Sequence, residues 1–313
     1  MTSQLDCHPA SAEETLAAHR NVFDVWPMDQ DPEVHLQKRV ASPKSQRANY
    51  FVGTVDGVVA TSLQSFPTTF QVRGELVPGI QIGSVHTHAD FRKLGYAELL
   101  IEFTEQYEAE RGVKLSALYC DIAVKYYEKM GYVLAPSKAG WFKTVEWSDE
   151  RLANVTPLED LNPRIDLTSL MQLHQETIFK RPIGVVRDEV YWDYTLRKFP
   201  NDRFWGLKDS SGNLEGYLRV GIAESRGQIV DWICRDDNPE KIQQLLTAFV
   251  KTAKAQSLSE VGGWLPDLAE VEELTSLSDR PKQITMFKSL SDELSLDDDL
   301  LQTANYFALI DHV

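Results

Sequence analysis

The chain has 313 residues, 42% of them hydrophobic, with a formal net charge of −15, which suits two domains with sizeable cores and opposes binding to a nucleic-acid phosphate backbone. Cys7, Cys120 and Cys234 are too scattered for a metal site or disulfide framework and fit a reducing compartment. The N-terminal MTSQLDCHPASAEETLAAHR lacks a basic start and an apolar core, and no apolar run approaches bilayer length, so the expectation is a cytoplasmic protein with no membrane partner, whose charge keeps it soluble or tolerates a cationic partner.

In chain order, PASAEETLAAHRNVFDVW and PEVHLQKRV read as helices, ANYFVGTVDGVVATSLQSF as two strands joined at Asp56-Gly57, and PGIQIGSVHTH as another strand. DFRKLGYAELLIEFTEQYEAERG places Ala97, Leu100, Ile101, Phe103 and Tyr107 at near-helical spacing, closed by Gly112. KLSALYC reads as a strand, AVKYYEKMGY as a short helix stopped at Gly131, and WFKTVEW as the last strand of the first half. The second half repeats this plan: helix DEVYWDYTLRKF, a hairpin across Ser211-Gly212, strand GQIVDWIC and helix NPEKIQQLLTAFVKTAKAQSL. EVGGWLP, a helical LAEVEELTSL and a terminal strand NYFALIDHV follow. The polar EWSDERLANVTPLEDLNPRID marks the boundary, giving domains 1–148 and 149–313 in an α/β protein.

The stretch THADFRKLGYAELL runs from a strand into a helix. First-turn amides of a helix have no partner within it and carry the positive end of its dipole, so they suit an anion. Gly95 and Ala97 keep the backbone bare there, and Arg92 adds charge. No G-x-G-x-x-G follows a strand and no Gly-Lys-Ser/Thr is present, so dinucleotides and nucleoside triphosphates fall behind as ligands.

These residues resemble the acyl-CoA-binding signature of the GCN5-related N-acetyltransferases (GNAT), with Arg92, Gly95 and Ala97 in the Arg/Gln-x-x-Gly-x-Gly/Ala pattern, and AVKYYEKMGY is similar to that family's second signature. The resemblance implies tandem GNAT-like domains, each a mixed, mostly antiparallel sheet with helices on both faces, the second degenerate because RDDNPEKI puts acids where the cradle should be. It implies acetyl-CoA as co-substrate, held by Val85, Thr87, Arg92, Lys93, Leu94, Gly95, Tyr96 and Ala97 and, where the family often has Asn, by Cys120, whose residue type fits that contact less well. A small buried thiol is the other reading of Cys120.

It further implies direct acetyl transfer to an amine, with Tyr127 either the acid for the leaving thiolate or a ring packed on the cofactor. Tyr126 is assigned to the core. His86 is the first candidate base, beside a structural reading of the same histidine; Glu75, Asp90, a water chain, or Asp311, His312 or the carboxylate of Val313 are alternatives. LYCDIAVKYYEKMGY is similar to a segment of fungal lysine N6-acetyltransferases, favouring a small cationic primary amine such as lysine or a polyamine, drawn in by acidic residues at the mouth of the site. Trp26, Phe66, Phe70, Trp141 and Trp147 are candidate pocket walls, most of them expected in the core. An acyl-CoA-binding sensor or scaffold without turnover is the alternative function. No metal is implied.

Overall fold

Caps and turns in the sequence set the first elements. Ser11 and Glu14 form a reciprocal capping box at the first helix, Asp31 caps the second with Pro32 behind it, and the Asp56-Gly57 turn closes the first long hairpin. The computed structural model of the protein describes residues 4–313. Its first half comprises β1 (Asp6–Pro9), α1 (Ala12–Asn21), α2 (Pro32–Ala41), α3 (Pro43–Arg47), β2 (Asn49–Val55), β3 (Val58–Val72), β4 (Glu75–Thr87), α4 (Tyr96–Ala109), β5 (Leu115–Cys120), α5 (Lys125–Glu128), β6 (Val133–Leu134) and β7 (Lys138–Lys143). The second comprises β8 (Glu159–Leu161), α6 (Leu167–Ile178), β9 (Ile183–Val185), α7 (Glu189–Lys198), β10 (Arg203–Lys208), β11 (Leu214–Ala223), β12 (Arg226–Cys234), α8 (Pro239–Ala255), β13 (Glu260–Trp264), α9 (Ala269–Glu272), β14 (Leu277–Asp279), β15 (Ile284–Ser289) and α10 (Asp298–Thr303).

Two mostly antiparallel sheets result. The first has the order β1-β2-β3-β4-β5-β15-β6, with β9 on an extension of β3; the second has β14-β7-β13-β12-β11-β10-β8. Each contains one parallel pair, β4 with β5 and β12 with β13. Beyond that pair the halves exchange strands: β15, from late in the chain, lies antiparallel to β5, and β7, from the first half, lies antiparallel to β13. WFKTVEW therefore supplies a strand as expected, but to the second sheet. Burial of Phe287 and Met286 in one sheet, and of Phe142 in the other, makes each exchanged strand part of its host's core.

The terminal segment is not a strand. It forms two 3₁₀ turns, Ala304–Tyr306 and Leu309–Asp311. Burial breaks only at Tyr306, Leu309 and His312, a spacing of three that matches the 3₁₀ repeat and not the two-residue alternation of a strand. Among the described residues, no helix is long and apolar enough to cross a membrane.

Candidate active site

The ladder between β4 and β5 runs from Gly79–Leu115 to Ile82–Leu118 and ends there. A bulge in β4 against Ser62–Gln64, with Ser84 in the left-handed region (φ 51°), turns the rest of the strand away. The parted strands open a cavity of about 500 Å³ lined by Gly83, Ser84, Val85 and Thr87 from β4 and by Tyr119, Asp121 and Ile122 from the end of β5 and the turn after it. Residues Val85 and Thr87, expected to face the acyl and pantetheine portions, lie on its wall.

At its foot the chain turns into α4 through two left-handed residues, Lys93 (φ 65°) and Gly95 (φ 79°). Gly95 is the N-cap and offers no side-chain cap, so the first-turn amides of the fourteen-residue α4 stay open. A Cβ placed on Gly95 would meet no protein atom within 4 Å, so the glycine serves the left-handed turn and the space in front of it, not internal packing. Ala97 lines the cavity. Leu94 is exposed, and Tyr96 stacks loosely on Phe91. Arg92 curls back: its Nε donates to the Thr87 carbonyl at 3.0 Å and its guanidinium lies 3.6 Å from Asp24. Cys120 does not line the cavity; its buried thiol donates to the Ile122 carbonyl, and burial pushes its pKa up.

Tyr127 lines the cavity, its pKa pushed far up by burial first and by the neighbouring Cys120 and Tyr126. It keeps its proton at neutral pH and can donate it. Tyr126, assigned to the core from sequence, also lines the cavity and meets Tyr127 edge to face at 5.1 Å; on a helix of only four residues the two rings are not forced to opposite sides.

His86 points away from the cavity wall, toward α1 and the loop after it. Its Nε2 is buried without a hydrogen-bond partner, 3.7 Å from Asp24 Oδ1, and its ring sits against Trp26, which does line the cavity. Burial lowers its pKa and Asp24 opposes that. Glu75 begins β4 at the hairpin end, about 40 Å of extended strand from Thr87, and Asp90 is exposed in the turn beyond His88. Phe66 and Phe70 are core, and Trp141 and Trp147 pack with the second sheet; of the five candidate aromatics only Trp26 reaches the cavity.

The last residues of the chain come to the site as the sequence allowed. His312 and Val313 line the cavity, and a Cβ on Gly83 would lie 3.2 Å from the Val313 carbonyl oxygen. His312 packs on Tyr119 at 5.0 Å, its pKa lowered to about 3 by burial, and Lys198 donates to its carbonyl at 2.7 Å. Asp311 is gripped by Arg187, which also holds Asp231 of β12; Tyr191 and Tyr217 donate to the same carboxylates. Sequence reasoning missed Arg39 and Lys44, which line the cavity from the α2–α3 corner; their alternation within amphipathic helices looks like any solvated face. The charged side chains on the wall are thus Arg39, Lys44 and Asp121, not an acidic rim.

The second half repeats the layout without the opening. After β12, Asp236 and Asp237 take the left-handed conformation, but Asp236 pairs with Lys180 and Asp237 takes both Nε and Nη2 of Arg181 at 2.7 Å. Asn238 caps α8 through Lys241 N, and Pro239 removes one free amide.

Residues 6–135 match the profile of the family described as acetyltransferase (GNAT) domain. No curated protein matches the sequence significantly. Solved structures share the fold. A protein of Enterococcus faecalis V583 described as "Probable N-Acyltransferase" has 17% identity and a TM-score of 0.72 over 96% of this chain and 74% of its own. A GCN5-related N-acetyltransferase from Anabaena variabilis has 20% identity and a TM-score of 0.68 over 92% and 73%. A tandem GNAT protein from the clavulanic acid biosynthesis pathway has 13% identity and a TM-score of 0.52 over 92% and 99%. Residues 6–135 therefore match the GNAT acetyltransferase domain, and the whole chain has the fold of these solved structures, with two GNAT-like sheets in the tandem arrangement.

Proposed function

We propose that the protein transfers an acetyl group from acetyl-CoA to a primary amine of a small, lysine-like acceptor, using one catalytic domain (residues 1–148) and one degenerate domain (149–313) that exchange β7 and β15. The carrying observation is the parting of β4 and β5 directly above an uncapped helix, with a protonated tyrosine on the wall. Acyl-CoA fits this place: the open amides at Gly95–Ala97 suit its pyrophosphate, and the unpaired β4 edge from Gly83 to Thr87 suits its pantetheine arm. When bound it supplies an activated thioester.

The chain's own residues do the rest. Amides near Val85–Thr87 hold the acyl carbonyl against the amine, and Tyr127 gives its proton to the departing sulfur. The acceptor amine attacks in its neutral form, and the proton its nitrogen sheds as the C–N bond forms leaves through water to His86, whose orphaned Nε2 stands behind Trp26. His312 is a second proton acceptor favoured by its place on the wall. Free-thiol release from acetyl-CoA over an amine panel tests the reading: turnover with a primary amine is expected, and CoA binding without turnover of any amine would replace it with a sensor.

A further inference from the structure

Helix α2 ends and α3 begins at a shared residue, Ser42, whose hydroxyl caps α3. This corner aims two cations, Arg39 and Lys44, into the cavity. Neither has a carboxylate partner. Arg39 spends one amino group on the Trp26 carbonyl at 2.6 Å, and its buried Nε has no hydrogen-bond partner. Lys44 makes no hydrogen bond or ion pair and sits 5.7 Å over the Phe66 ring. Of the buried arginines, Arg181, Arg187 and Arg219 hold aspartates and Arg280 lies over the Trp264 ring with a bond to Thr285, whereas the half-buried Arg39 and Lys44 face an open cavity with no carboxylate in hydrogen-bond reach. The one carboxylate side chain on that wall, Asp121, is exposed and accepts from Gln283 N.

Building on the reading of an amine acceptor, we propose that Arg39 and Lys44 recognise an anionic group, carboxylate or phosphate, carried by the acceptor at a distance from its amine. A guanidinium and an ammonium with free donors provide charge-assisted hydrogen bonds that a neutral or purely cationic amine cannot use. Burial lowers the pKa of both side chains, that of Lys44 to about 8, helped by the like charge of Arg39 and opposed by the carboxylate of Asp121 across the cavity. A polyamine would meet like charge here; an amino acid or phosphoamine would complete the wall.

The test compares matched acceptors on the full chain with acetyl-CoA: lysine with lysinamide, alanine with alaninamide, and O-phosphoethanolamine with ethanolamine. The anionic member of at least one pair should show a KM lower by about ten-fold or more; which pair responds separates carboxylate from phosphate. Lys44→Met should erase that preference and Lys44→Arg should keep it. Equal KM values within every pair, or a Lys44→Met loss that falls equally on both members, would overturn the proposal and leave Lys44 as a support of the fold or of the terminal segment. Calorimetry with N-acetyl-lysine and its amide reads the same site without chemistry. Tighter binding of the acid with no turnover of any amine would keep the anion site and sink the transferase reading; turnover with no preference for the acid would do the reverse.

Discussion

The turn after β4 and the turn after β12 occupy the same place in the two halves, and they differ in what they leave unsatisfied. The first offers left-handed Lys93 and Gly95, an uncapped α4 and no side chain in front of its amides. The second fills the same place with its own side chains: Asn238 caps α8 through Lys241 N, Pro239 stands at its first turn, and Asp236 and Asp237 neutralise Lys180 and Arg181. Open first-turn amides can take an anion in place of water, so the first turn is free for the ligand proposed above, whereas the second is occupied by the chain's own side chains. Of the acids in RDDNPEKI, Asp237 ties the largely buried Arg181 to the turn after β12, while Asp236 pairs with Lys180 at the surface.

The largest effect that would break this comparison is at Gly95. Gly95→Glu forces a β-carbon into the left-handed turn and puts a carboxylate before the open amides, and like-charge apposition of this kind costs several kcal/mol, so acetyl-CoA affinity should fall about a thousand-fold or more. Asn238→Glu in the second half should leave affinity unchanged. Calorimetry should give one CoA per chain, and two would refute the assignment of a single working cradle.

The second half should instead report its losses as stability. Arg187 is buried between Asp231 and Asp311, bonded to the first at 2.6 and 3.0 Å and to the second at 2.7 and 2.9 Å. Arg187→Met strands two carboxylates, and breaking buried pairs of this kind costs about 3–5 kcal/mol. A clear drop in the urea midpoint with CoA affinity retained is expected. An unmoved midpoint would show that the second half contributes less to holding the terminal segment than its geometry implies.

Back in the first half, Tyr127→Phe keeps the ring against Tyr126 and Tyr132 and removes only the proton donor. The turnover rate should fall roughly ten-fold to a thousand-fold with CoA affinity held. Weaker CoA binding with the rate intact would make Tyr127 a packing ring.

The two cradles were legible in the sequence because each is local: a strand, a turn and a helix start lie within a dozen residues, and glycine, small residues or acids there have direct physical meaning. The exchange of β7 and β15 was not, because period-two alternation says which side of a strand is buried but not which sheet it joins. The terminal segment was misread for a related reason: NYFALIDHV alternates well enough for a strand, yet its partly exposed positions, Tyr306, Leu309 and His312, fall every third residue. The bulge at Ser84 resets which β4 side chains face the cavity, so Val85 and Thr87 reach it and His86 does not. Arg39 and Lys44 gave no local signal at all, since only the packing of the α2–α3 corner over the parted strands turns them inward.

The smallest effect, and the one that discriminates most finely, concerns His86. An acceptor amine must be neutral to attack, so log kcat/KM should rise with pH at unit slope until the amine itself has lost its proton. If His86 accepts the second proton, the one the attacking nitrogen sheds as the C–N bond forms, it must also be neutral, and below its own pKa the slope should steepen by one further unit. Burial holds that pKa below the ordinary histidine range, while the carboxylate of Asp24 pulls it back up. The steep limb should therefore begin on the acid side of about 6.5. Asp24→Asn removes the charge that raises the pKa and should move the limb to still lower pH, whereas His86→Gln should abolish the limb and leave the unit slope alone. Were the steep limb to survive His86→Gln and vanish in His312→Gln, the proton would leave through the terminal segment, and the second half, through Arg187 and Asp311, would be holding a working part of the first half's site.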